Sequence, residues 1–156
     1  MTLMLRPLLP ALLLALSGCS ALSPHSGLTK LDLNLAASDG LNPDLHGRPS
    51  PIVLRLLELR HPVAFENADF FGLYQRPKET LAPDLAAQEE LELRPGERRD
   101  LKLSVQPGSR YLGVLAAYRD LPDSEWRYVF PLDERARNRI ALALGARGIE
   151  PQPAED

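Results

Sequence analysis

The chain carries little equipment for chemistry. It has one cysteine and three histidines. A lone thiol cannot close a disulfide within the chain, so the fold must hold without one. His25, His46 and His61 are scattered, and none has the i, i+4 or paired-cysteine spacing of a metal site. Gly-x-Ser-x-Gly, a phosphate loop and a dinucleotide fingerprint are all missing. Residues 39–44 are faintly similar to a calcium loop but lack its alternating oxygens and terminal glutamate. The adjacent acids Glu89-Glu90 and Asp133-Glu134 read as solvated faces. An excess of one charge is also lacking. The net charge is −3, and acids and bases are interleaved, which argues against nucleic acid. The apolar stretch 8–16 is too short to cross a bilayer core of roughly 30 Å as a helix. These absences point away from an enzyme, and neither a cofactor nor a metal is expected.

What is present begins with the placement of that cysteine. Arg6 gives a thin positive start, the apolar stretch follows, and Leu16-Ser17-Gly18-Cys19 closes it. This is the pattern of a bacterial lipoprotein signal. The peptidase needs small side chains before the cut, and the lipid needs the sulfur. Residues 1–18 are therefore expected to be a signal peptide and Cys19 the lipidated residue. One acyl chain binds membranes only marginally, at about 0.8 kcal/mol per buried methylene. Triacylation would anchor the protein for practical purposes permanently. Ser20 permits export to the outer membrane, where Asp would hold a lipoprotein at the inner one. The expected location is the outer membrane, lipid-anchored and facing the periplasm. Small and polar residues make 19–27 a flexible tether.

The remainder fits one domain, residues 28–150, with a loose tail at 151–156. Fifteen prolines fall mostly between apolar segments, which favours short strands joined by turns. Leu31, Leu33 and Leu35 alternate with polar residues and predict a strand. Residues 52–60 leave helix and strand open, because both faces are mixed. Residues 64–74 predict a helix with Phe65, Ala68 and Phe71 on one face, ended by Gly72 and Pro77. Residues 80–87 suggest a further short helical turn. Strands then recur at Leu91 and Leu93, at Leu101 to Val105, at Tyr111 to Tyr118, at Trp126 to Phe130 and at Ile140 to Leu144. Residues 133–139 are charged and read as a loop or a single helical turn. Pro95-Gly96 and Pro107-Gly108 supply turns. Short strands at this spacing indicate a sandwich.

Two segments stand out. Residues 37–51 are long and turn-rich, with Asp39-Gly40, Asn42-Pro43 and Gly47. A loop this long inside a compact domain is usually functional or disordered. Ala116-Ala117-Tyr118-Arg119-Asp120 and Trp126-Arg127 would meet across a hairpin. There Trp126 is expected to pack on Tyr118, and Arg119 or Arg127 to pair with Asp120 or Glu125.

These residues, with the lipobox at Cys19, Asn42-Pro43, Gly47, Pro51, the segment 65–74 and Pro95-Gly96, resemble one family over almost the whole mature chain. It is the outer-membrane lipoprotein of the type VI secretion system, the TssJ (SciN) family. The resemblance implies a mainly all-β, transthyretin-like two-sheet sandwich with a small helical insertion near 65–87, and makes 52–60 a strand. It implies no catalysis. It also implies a partner, the periplasmic C-terminal domain of the inner-membrane protein TssM, and through it TssL. The contact would be the loop 37–51, with Leu41, Asn42, Asp44, Leu45, His46 and Arg48 as the expected binding residues. A periplasmic lipoprotein that binds a small ligand or senses envelope state is the alternative, and a deep apolar pocket would favour it.

Overall fold

The computed structural model describes residues 27–153. The expected signal peptide, Cys19, most of the tether and residues 154–156 lie outside the described residues. In chain order, β1 is Lys30–Ala37 and β2 is Ile52–Leu59. Three short helices follow, α1 Val63–Asn67, α2 Phe70–Gln75 and α3 Pro77–Leu81. Then come β3 Leu85–Leu93, β4 Arg98–Ser104, β5 Tyr111–Ala116, β6 Arg127–Pro131, β7 Arg137–Leu144 and β8 Ile149–Gln152.

Alternation along β1 puts Leu31, Leu33, Leu35 and Ala37 on one buried face. The strand sits inside a sheet of order β4-β1-β7-β8, antiparallel to β4 and parallel to β7. The second sheet has the order β3-β2-β5-β6, all antiparallel. The sheets enclose one core, in which Leu31, Leu33 and Leu35 lie with Leu54, Leu56, Leu112, Val114 and Leu142.

A second core lies on the outer face of the β3-β2-β5-β6 sheet. Leu57, Leu59 and Leu115 there meet Phe65, Leu73 and Leu81 from the helices. This double coverage explains the mixed pattern of residues 52–60. Ile52, Leu54 and Leu56 face the other sheet, and Leu57 and Leu59 face the helices. A strand covered on both faces reads as a continuous apolar run. Gly113 of β5 makes room for the insertion, because a Cβ there would lie 3.1 Å from Phe65 and Leu59 carbon atoms.

Two strand arginines fasten the helices, whose short length leaves carbonyls without helical partners. Arg127 Nη1 donates to the Phe65 and Ala68 carbonyls at 3.0 and 2.7 Å. Arg55 Nη1 donates to the Tyr74 carbonyl, and its Nε to Glu90 at 2.7 Å. Their guanidinium groups also lie over the Trp126 and Tyr74 rings, at 4.6 and 4.3 Å from the centroids.

Several sequence expectations need correction. The single helix over 64–74 is two helices. The chain is extended at Ala68, and Asp69 caps α2 by accepting from the Gly72 amide at 2.9 Å. Gly72 lies inside α2, and Pro77 opens α3 rather than ending a helix. Phe71 belongs to no apolar face that is covered; it is 58% exposed. Helix ends at Leu81, and residues 85–87 are already strand. Arg137 to Arg139 lie in β7, not in a loop. The domain runs past residue 150, since Pro151 and Gln152 pair with Leu142 and Ala141 in β8. Pro151 is tolerated because β8 is an edge strand.

Candidate partner interface

Strand direction sorts the loops into two poles. Residues 27–29 enter at one pole, beside the turns 105–110 and 132–136. The loop 38–51 leaves β1 at the other pole, with residues 94–97, 117–126 and 145–148. The eight residues of β1 separate the poles by about 26 Å, at roughly 3.3 Å per residue.

The loop 38–51 is closed at its base. The Leu41 amide donates to the Ser38 carbonyl at 3.1 Å, and the Ser50 amide donates to the Leu41 carbonyl at 2.9 Å. Leu41 is fully buried in the inter-sheet core. Asn42 takes a left-handed backbone, φ 43°, which Asn tolerates better than most residues. Its side chain is buried and doubly used. Nδ2 donates to the Pro51 carbonyl at 2.9 Å, and Oδ1 accepts from the Arg119 amide at 2.8 Å. The loop between β5 and β6 is thereby tied to the loop between β1 and β2.

Beyond Asn42 the tip closes on Asp44. One carboxylate oxygen accepts from the His46 and Arg48 amides at 2.8 and 3.0 Å. The other accepts from Arg48 Nε at 2.8 Å. The Asp44 amide donates to the Arg48 carbonyl, and the Gly47 amide to the Asp44 carbonyl, each at 2.9 Å. Gly47 supplies the positive φ of 75° that the turn requires. The Arg48 amide first, then the His46 amide, the Arg48 side chain and the Arg119 charge hold the Asp44 carboxyl below its ordinary range, outweighing its desolvation. Leu45 is left at the apex, fully exposed. It borders a concave surface shared with Pro43, Arg119, Asp120, Ala146 and Arg147.

The six expected binding residues thus separate. Leu45, His46 and Arg48 are exposed, and Asp44 is partly so. Leu41 and Asn42 are taken by the core and by the hydrogen bonds at the loop base, which corrects their expected place in a contact surface. Trp126 lies edge-on to Phe70, with ring centroids 5.3 Å apart, instead of forming a pair with Tyr118. Tyr118 is buried, and its hydroxyl donates to the Gly145 carbonyl at 3.3 Å. Arg127 is engaged by the helices, and neither it nor Arg119 pairs with Asp120 or Glu125. Arg147 was not legible as a site residue. It is distant in sequence from residue 45 and reaches the site only through the turn between β7 and β8.

Among the described residues, no three His, Cys, Asp or Glu side chains cluster to hold a metal. Among them also, no helix is long and apolar enough to cross a membrane. The cavity between the sheets, bordered by Leu31, Leu56, Leu103, Val105 and Leu112, measures only about 10 Å³. That is room for one water at most.

Residues 29–147 match the model of the type VI secretion lipoprotein family, VasD, EvfM, TssJ. Among solved structures, the T6SS lipoprotein TssJ1 from Pseudomonas aeruginosa is 38% identical, with a TM-score of 0.78, over 82% of this chain and 99% of that one. Serratia marcescens Lip, a membrane-bound component of the type VI secretion system, is 28% identical, with a TM-score of 0.76, over 83% and 99%. A chain in a structure described as the T6SS protein TssM C-terminal domain from EAEC shares the fold at 23% identity, with a TM-score of 0.65, over 81% and 99%. Among curated proteins, none matches.

Proposed function

The chain belongs to the type VI secretion lipoprotein family, and we propose that it is the outer-membrane-anchored adaptor of that system's membrane complex. Acylated Cys19 holds it in the inner leaflet of the outer membrane. The loop 38–51 binds the periplasmic C-terminal domain of TssM, and through TssM the protein is linked to TssL. The observation that carries this reading is the loop itself. It is closed by its own hydrogen bonds and offers Leu45 at the pole opposite the one where the tether enters. A loop already ordered loses less entropy on binding. An anchor at one pole and a contact at the other suit a protein that must reach from a membrane toward a partner. Among the described residues, the cavity bordered by Leu31, Leu56 and Leu112 is too small for a ligand, which weighs against a ligand-binding or sensing lipoprotein.

Cys19→Ser in the full chain tests the anchor. The protein should leave the outer-membrane fraction, and secretion should stop while the sandwich still folds. A Cys19→Ser protein that remains in the outer membrane with unchanged mobility would refute lipidation there. Ser20→Asp should retain a lipidated protein at the inner membrane, and unchanged sorting would refute the role given to Ser20.

A further inference from the structure

The chemistry around Leu45 narrows what can bind there, taking the loop 38–51 as the contact surface on the reading above. Leu45 is an apolar side chain with no intramolecular cover. Its concave neighbour surface carries two exposed arginines, Arg119 and Arg147, from two other loops. Neither forms an ion pair among the described residues. The Asp44 carboxylate balances Arg119 only in part, because the same charge is shared with Arg48, which it binds directly. Asp120 is the one remaining carboxylate bordering this surface. Three arginines, Arg48 among them, against the two acids Asp44 and Asp120 leave at least one guanidinium uncompensated. A partner that seats Leu45 would withdraw water from those arginines, and an arginine stripped of water without a counter-ion is costly.

We infer that the partner's contact surface is an apolar socket for Leu45 rimmed by at least one carboxylate that pairs with Arg119 or Arg147. The socket supplies the affinity, and the carboxylate sets orientation and approach. An anionic lipid surface would also attract a leucine between two arginines. It is disfavoured because the site lies at the pole opposite the entry of the tether, and because Asp44 and Asp120 would face the lipid phosphates.

The test uses the full lipidated chain in detergent, titrated by calorimetry against the periplasmic domain of TssM. Leu45→Ala should weaken binding about tenfold or more, as truncation of a central anchor does. Leu45→Met should recover most of the affinity. The double change Arg119→Glu with Arg147→Glu should weaken binding about tenfold or more, while Arg139→Glu on the outer face of β7 should not. Raising salt from about 0.05 M to 0.5 M should weaken the unaltered protein and strengthen the double variant, because salt screens the repulsion between its glutamates and the acidic rim. Binding indifferent to salt and to the double change would overturn the acidic rim and leave the adaptor role standing. No binding by the unaltered protein would overturn both. Adsorption of the soluble face to phosphatidylglycerol vesicles, lost in the double variant while TssM binding persists, would overturn the inference in favour of lipid.

Discussion

The two segments flanking β2 are built on opposite principles. The insertion 60–84 is held by packing. Phe65, Leu73 and Leu81 are buried against the sheet, and Arg55 and Arg127 take up its loose carbonyls. The loop 38–51 is held by polar contacts with itself and with residues 96, 119 and 144, and only Leu41 near its base joins the core. The first therefore contributes stability through buried area, at about 25 cal/mol per Å². The second contributes little area and spends its hydrogen bonds on shape. A segment ordered without being needed for the core is free to serve a partner.

Removing the largest buried side chain of the insertion should have the greatest effect on folding. Phe65→Ala leaves a void beside Gly113 and Leu59 and should cost about 3–5 kcal/mol. Thermal or denaturant unfolding would show it, and the folded fraction should still bind TssM. A loss of binding without a loss of stability would place the insertion in the interface and erase the contrast. Trp126 is half-buried, packed on Phe70 and under Arg127. Trp126→Ala should therefore cost about half of the 3–5 kcal/mol that full burial would imply. A melt that barely moves would mean that the ring serves a surface instead.

Asn42→Ala tests the join between the two regimes. It leaves the Pro51 carbonyl and the Arg119 amide without their partner, at about 1–3 kcal/mol. Binding should fall as well, although Asn42 is buried, because Arg119 loses its tie to the loop. Amide exchange at Arg119 should rise in this variant; protection that stays intact would separate the two loops.

The smallest effect is on pH. The Asp44 carboxyl is depressed in the folded state, so its contribution to loop order is complete above the ordinary carboxylate range. It declines as the pH falls from that range toward the lowered folded value, and the carboxyl of the closed loop itself is protonated only at that lower value. Amide protection at His46 and Arg48 should therefore survive mild acid while the bulk carboxylates titrate. Protection lost at the ordinary Asp value would mean that the tip is not closed by Asp44.

How much of this was legible in the sequence depended on whether local pattern or distant contact decided each feature. β1 was legible because one face is covered and the other wet. β2 was not, because both faces are covered, and only the family resemblance made it a strand. The break at Ala68 is local, but Asp69 as a helix cap was hidden inside an apolar periodicity that ran across it. β8 was missed because Pro151 reads as an ending, and only the partner strand β7 shows that an edge tolerates it. Leu41 and Leu45 look alike in sequence. One is core and the other fully exposed, and the left-handed turn at Asn42 between them makes the difference. Arg147 could not be read as a neighbour of Leu45 at all, since two strands and a turn bring it there.

The most direct test of the loop as the binding element keeps its base and removes its tip. Leu41, Asn42 and Ser50 are retained, because they close the core, and residues 43–49 are replaced by a two-residue turn. Stability should change by no more than about 1 kcal/mol, since loop length costs little. Calorimetric titration against the periplasmic domain of TssM should then show binding abolished. Undiminished affinity in a stably folded, tipless protein would contradict the assignment and move the contact off this loop.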